Sequence, residues 1–211
     1  VVLAAAGFWA RNADSGIEWQ KVLHGEQGME LFRPLPASGH VRATSRVARV
    51  LDKGAGKGAL IYVERDLIDV ETGDKIATLT STTFARGNGG FGGDAGPQPA
   101  PHAIPDRAPD VEIDLPTLPQ AALIYRLSGD YNPLHADPAV ARQVGFDAPI
   151  LHGLCTLGVA GRAILKAFCD YDLARLKSLK LRFSSPVYPG ETIRTQLWRD
   201  GDTVSFRARV M

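Results

Sequence analysis

Cysteine is scarce in this chain: Cys155 and Cys169 are the only two among 211 residues. Both fall in one apolar helical pattern, and fourteen residues of rigid helix would set them about 21 Å apart, well beyond disulfide reach. A disulfide scaffold is thereby excluded, and reduced thiols point to a cytoplasm-like compartment. No His/Cys group has zinc-finger spacing. An excess of either charge is lacking as well. The 24 Lys and Arg residues balance 23 Asp and Glu, for a net charge of +1, which gives no ground for a nucleic acid or an anionic membrane as partner. No apolar run is long enough to span a bilayer. Residues 1–6 are apolar but have no basic lead-in and soon meet Trp9, Arg11 and Asn12, so they do not read as a signal peptide. The start is abrupt, and earlier residues are expected before Val1. The last strand likewise reads as lacking its next hairpin partner.

What the chain does have is 45% hydrophobic residues, enough for a buried core in one large domain or two small ones. Residues 26–85 read as four β-strands. Met29, Leu31 and Leu35 mark the first, and Val41, Thr44, Val47, Val50 and Leu51 the second. Residues 60–63 begin the third, which 68–70 continue, and 76–84 form the fourth. Turns at Asp52-Lys53-Gly54-Ala55-Gly56-Lys57-Gly58 and Glu71-Thr72-Gly73-Asp74 argue an antiparallel meander. Residues 87–109 change character to Gly-rich and then Pro-rich, the composition of a linker. A phosphate cradle is disfavoured there, because no helix pattern follows the glycines.

Beyond the linker, Thr117-Leu118-Pro119-Gln120 resembles a helix start and Asp137-Pro138 opens a short helix that Gly145 can end. Leu154, Leu157, Gly158, Gly161, Ile164, Leu165 and Phe168 then repeat at helical spacing, with the two glycines expected to allow close approach of another backbone. Strands follow at 178–183, 192–198 and 203–211. A long helix against an antiparallel sheet is an α+β layer arrangement. The domain reading is therefore 1–86 as an N-terminal half, incomplete at its start, 87–109 as linker, and 110–211 as a C-terminal half. The first half has similar strands but no long helix.

The most informative stretch is Ser128-Gly129-Asp130-Tyr131-Asn132-Pro133-Leu134-His135. Proline has no N–H and biases the residue before it away from the α region, so Asp130 and His135 do not share a smooth helical face. A bend can instead aim both side chains at one point, where they hold a water or pass a proton. Next comes Pro149-Ile150-Leu151-His152-Gly153-Leu154, which opens the long helix. N–H groups at a helix start can hold a developing oxyanion. Acid/base groups beside such a site outline carbonyl-directed chemistry.

Residues 125–138, together with Ile150-Leu151-His152-Gly153-Leu154-Cys155-Thr156 and residues 182–190, resemble the (R)-specific 2-enoyl-CoA hydratases, or hydratase 2, of the MaoC-like dehydratase family. His24-Gly25-Glu26-Gln27, Asp52-Lys53-Gly54 and the 89–93 glycine run resemble the counterpart segments of the first half. The resemblance covers almost the whole chain. It implies an α+β double hot-dog fold in which the N-terminal half has a reduced helix, opening a tunnel for an acyl chain. It implies a hydro-lyase of fatty-acid metabolism and β-oxidation. The reaction is reversible syn addition of water to a trans-2-enoyl-CoA, giving an (R)-3-hydroxyacyl-CoA without metal or organic cofactor. Asp130 is then the base, His135 its partner and proton shuttle, and the Gly153 N–H the oxyanion donor.

Further residues carry substrate roles by the same resemblance. Lys53 lies in a hairpin where a solvated lysine is the default, yet the family places a CoA contact there. Phe183 reads as core on strand spacing and as a substrate contact by resemblance. His24 and Gly25 read as a turn or as a substrate contact, and Asn132 as a site hydrogen-bonder or a turn former. The resemblance also implies a homodimer, with a cytoplasmic location and a peroxisomal alternative. Rival readings are a carrier-protein-dependent dehydratase, a thioesterase on the same fold, and a non-catalytic acyl-thioester-binding module.

Overall fold

A computed structural model describes residues 9–211. Residues 1–8, including the apolar start that does not read as a signal peptide, lie outside the described residues. The chain divides into two compact units. The first comprises Val1–Pro99 and Lys177–Ser184, the second Ala100–Leu176 and Ser185–Met211.

The first unit is a five-stranded antiparallel sheet. Its strands are β1 (Val22–Leu31), β2 (Val41–Asp52), β3 (Ala59–Asp69), β4 (Lys75–Ala85) and β6 (Ser178–Arg182), in the order β2-β3-β4-β1-β6. The expected meander holds for β2, β3 and β4, but β1 pairs with β4 rather than β2. Leu35 lies beyond the end of β1 and is exposed. The β2–β3 turn is built by positive φ at Gly54, Gly56 and Gly58, a region only glycine enters freely. Leu67, Ile76, Ala77 and Leu79 form a buried cluster with Met29, Leu31 and Ala43 against it. A second cluster of Ile61, Val63 and Ala85 is covered by Trp9, Ile17 and Val22. Among the described residues before β1 there are only short 3-10 turns (Trp9–Arg11, Ala13–Ser15 and Trp19–Lys21). A reduced helix in this half was the expectation.

The glycine-rich stretch read as linker is fastened to this sheet. The buried Asp52 carboxylate accepts N–H bonds from Gly54 (2.9 Å), Gly90 (2.7 Å) and Gly92 (2.8 Å). A Cβ at Gly89 would lie 2.6 Å from the Gly54 carbonyl, and one at Gly90 would lie 2.9 Å from the Ala55 Cα. Gly89 and Gly90 are therefore glycine because two backbones touch there. Further along, Arg49 holds Asp94 (2.8 Å) and the Pro97 carbonyl (3.2 Å), while Arg182 holds the Pro99 carbonyl (3.1 Å). These two arginines stand on the two edge strands. Between them, at one register position, Glu26, Thr82 and Tyr62 complete a row across all five strands.

The second unit packs one sheet on one long helix. The sheet is β5 (Val111–Pro116), β7 (Thr192–Asp200) and β8 (Thr203–Val210), in the order β5-β7-β8. Helix α3 (Gly153–Phe168) lies against β5 and β7. It buries Leu157, Ala160, Gly161, Ala163 and Ile164, the stripe that a 3.6-residue period puts on one face. Ile193, Leu197 and Trp198 bury the sheet's side of this core; each aliphatic residue contributes about 1.5–3 kcal/mol. Gly161 is buried as expected, but Gly158 is exposed and a Cβ there would meet nothing, so it has no close-approach role. Cys169 lies just past the helix end, and both cysteines are free. The short helices α1 (Ala121–Tyr125) and α2 (Pro138–Gln143) complete the unit, with Gly145 at φ 94° beyond α2. No helix among the described residues is long and apolar enough to cross a membrane.

One strand differs from expectation. Residues 178–182 read as part of the C-terminal sheet, yet β6 pairs with β1 in the first unit. Leu179 is buried there opposite Met29, and Arg182 pairs with Glu26. The place beside β7 is taken by β5. Its outer residues Glu112 and Asp114 meet Gln196 and Arg194 of β7. The α+β double hot-dog expectation is otherwise met.

Candidate active site

The bend after α1 is held by its own polar groups. Gly129 takes φ 107°, the Asp130 carboxylate accepts the Asn132 N–H at 3.2 Å, and the Asn132 side-chain oxygen accepts the Leu134 N–H at 3.1 Å. The Arg126 guanidinium donates to the Asn132 carbonyl at 3.1 Å. Pro133 then opens a single 3-10 turn, Pro133–His135. Asn132 thus acts in the structure as a turn cap, consistent with its plain reading.

His135 is buried, and its Nδ1 lies 2.8 Å from the Ile150 carbonyl. A carbonyl only accepts, so Nδ1 carries the proton and Nε2 presents a lone pair. Burial pushes the His135 pKa below the ordinary imidazole value, against the Ile150 carbonyl and the Asp130 carboxylate, which pull it up. The ring is therefore a neutral acceptor near pH 7.

Gly153 is the first residue of α3. Its N–H is one of the four that no carbonyl of the helix can reach, and the preceding residue supplies no side-chain cap. That preceding residue, His152, was not singled out as a site residue in the sequence. It is 1% exposed, stacks on the His135 ring with centroids 3.8 Å apart, and lies 4.7 Å from the Tyr125 ring. Its Nε2 is 3.3 Å from the Asp130 backbone carbonyl, and its Nδ1 is buried without a hydrogen-bond partner. An unmet buried acceptor of this kind costs about 1–3 kcal/mol. Burial first, then the His135 ring, push the His152 pKa down to about 4. Tyr125, beside it, is pushed up to about 12 by burial, with Cys155 and Asp130 adding to the rise.

Asp130, His135 and His152 each bring one donor atom within 4.8 Å of the others, the one such group among the described residues. The His135 and His152 ring planes differ by 28°.

The other expected site residues belong to the first unit. His24 and Phe183 meet edge to face, with ring centroids 5.1 Å apart. Gly25 sits at a bulge in the β1–β4 pairing, where its carbonyl accepts the Phe183 N–H at 2.9 Å. A Cβ at Gly25 would press on the Thr82 carbonyl at 3.1 Å. Lys53 is exposed, with Nζ 5.6 Å from the Phe84 ring centroid. Within that unit the structure brings His24, Gly25 and Phe183 together, and Lys53 stands on the 52–58 turn.

Residues 101–211 match the MaoC-like domain and residues 5–87 the MFE-2 hydratase 2 N-terminal domain. The chain belongs to the MaoC-like dehydratase family. Its relatives include "3-hydroxyacyl-thioester dehydratase Y" of Mycobacterium tuberculosis, 50% identical over 84% of this chain and 62% of the relative. "Probable enoyl-CoA hydratase 2" of Dictyostelium discoideum is 45% identical over 92% of this chain and 67% of the relative. A crystal structure of a MaoC-like dehydratase from Phytophthora capsici superposes with a TM-score of 0.81 and 46% identity. It covers 90% of this chain and 66% of that one. As a MaoC-like chain, this one spans about two thirds or less of these relatives' lengths.

Proposed function

We propose that this MaoC-like chain catalyses reversible syn hydration of trans-2-enoyl-CoA to (R)-3-hydroxyacyl-CoA. The observation that carries the reading is the pairing of the Asp130 carboxylate with a His135 whose Nε2 is a bare acceptor. The dyad is set beside the uncapped amino end of α3. Relatives named for enoyl-CoA hydration and hydroxyacyl-thioester dehydration support the same reaction class, read in its two directions.

An enoyl thioester becomes electrophilic at C3 only when its carbonyl oxygen can take up charge. The Gly153 N–H is the donor for that oxygen, worth about 3–4 kcal/mol when preorganised. One water donates its two O–H groups to Asp130 and His135 Nε2. Its oxygen attacks C3, one of the pair takes its proton, and a proton returns from the pair to C2 on the same face. Neither group needs a cofactor for this. His24, Gly25, Lys53 and Phe183 contact the CoA thioester, with the Lys53 cation serving a phosphate, and Asn132 orders the bend. In the same reading the enzyme is a cytoplasmic homodimer of fatty-acid metabolism, with a peroxisomal location as the alternative.

Incubation with trans-2-decenoyl-CoA and chiral analysis of the product tests this. The reading expects (R)-3-hydroxydecanoyl-CoA with no free thiol. Release of CoA would make the chain a thioesterase, and turnover only on acyl carrier protein would overturn the CoA assignment.

A further inference from the structure

We propose that His152 is a positioning residue that locks the Asp130/His135 bend to the amino end of α3. The proposal rests on the hydration reading for its kinetic consequence, but its structural content stands apart from it.

Three features carry it. First, the Nε2 contact with the Asp130 carbonyl is a bond only if Nε2 bears the proton. This fixes one tautomer and leaves Nδ1 as the buried, partnerless acceptor that the structure shows. A residue kept only to fill space would be apolar and would leave no such orphan. Second, the ring packs on two others, with His135 at 3.8 Å and an interplanar angle of 28°, and Tyr125 at 4.7 Å and 42°. The plane of His135, and hence the direction of its Nε2 lone pair, is set by this stack and by the Ile150 carbonyl together. Third, His152 is the residue directly before Gly153, and its backbone carbonyl accepts the N–H groups of Cys155 (3.0 Å) and Thr156 (3.2 Å). One residue thus joins the oxyanion amide to both members of the dyad, so that all three move together.

The joint must stay uncharged to work. The groups facing His152 are the His135 imidazole, the Asp130 carboxylate and carbonyl, the Arg126 guanidinium and the Tyr125 phenol ring. The His135 and Arg126 sides oppose a positive charge on His152 and burial opposes it more, while Asp130 favours it. The ring therefore stays neutral while His135 exchanges protons with the water, and does not compete for them.

Two measurements test the proposal. His152→Phe keeps a flat ring but removes the N–H donor. It is expected to lower kcat about 10–100-fold, the cost of a small misplacement of reacting groups, with KM within about threefold. The acid limb of the kcat/KM profile should move up toward the ordinary imidazole value as the His135 site loosens. His152→Gln, which retains a side-chain N–H, should recover part of the loss. Wild-type kcat and an unshifted acid limb in His152→Phe would overturn the proposal. The second measurement, imidazole nitrogen NMR of the unaltered protein, holds even if a variant fails to fold or no enoyl-CoA is turned over. His152 should remain a neutral Nε2–H tautomer at pH 5.5, and a charged ring or the Nδ1–H tautomer there would overturn the proposal. Failure of the hydration reading alone would abolish wild-type turnover and leave this signature in place.

Discussion

The Ile150 carbonyl fixes His135 with its proton on Nδ1 and its lone pair on Nε2, and the chemistry at the residue scale follows from that one bond. Asp130→Asn and His135→Gln should each lower kcat about 10²–10⁴-fold, the usual worth of a placed acid or base, with folding unimpaired by circular dichroism. Gly153 allows a cleaner cut. Proline is favoured at the first helical position, and His152 already has the extended ψ of 134° that a following proline requires. Gly153→Pro therefore deletes the N–H proposed to hold the oxyanion, with little cost to the helix. It should reduce kcat about 10²–10³-fold, while unfolding midpoints stay close to wild type. The approach of Asp130 and His135 to one another was legible because Asn132-Pro133 announces a bend between two groups of complementary chemistry. His152 stood in the same motif and was missed. Its burial exists only once Tyr125 and His135 close over it, and no spacing along the chain encodes that.

At the scale of elements, the 52–58 turn and the 87–94 run form one structure with Asp52 at its centre. Four backbone N–H groups hold the Asp52 carboxyl below the ordinary carboxylate range. Asp52→Ala should free the glycine run, seen as faster hydrogen exchange at Gly90 and Gly92. It should also raise KM for acyl-CoA through the displaced Lys53. Lys53→Ala should raise KM more than it lowers kcat, with a smaller effect at high salt. Composition reported the glycine run as a linker because glycine serves both flexible chain and close backbone contact, and only tertiary packing separates the two. The strands were readable as strands for a related reason. Period-two alternation shows which face is buried, but it says nothing about the neighbour. Hence β6 was recognised yet assigned to the wrong sheet. The alternation of Val111, Ile113 and Leu115 with Glu112 and Asp114 could have revealed β5.

At the scale of the whole molecule, the buried histidines make stability depend on pH. His135 and His152 have pKa values below the ordinary imidazole value, His152 near 4, so the unfolded chain binds more protons than the folded one in the window from about 6.5 down to 4. Stability is therefore full above pH 6.5 and falls through that window as pH drops. The Asp52, Asp66, Asp69, Asp94, Asp110 and Asp114 carboxyls are lowered in the fold. Their contribution is present above about pH 4 and is lost below it. Urea unfolding as a function of pH should show both limbs, and His152→Phe should remove up to about 1.4 kcal/mol per pH unit from the upper one.

The described residues of the first unit hold strands and short 3-10 turns, in keeping with a sequence that showed strands there and no long helix. The central claim joins these scales: one water, held by Asp130 and His135 on one face of the double bond, supplies both new atoms. Hydration of trans-2-decenoyl-CoA in D₂O, followed by NMR of the product, tests it most directly. The account predicts a single diastereomer with deuterium at C2 on the same face as the new oxygen at C3. Deuterium on the opposite face, or an even mixture formed during turnover, would contradict it.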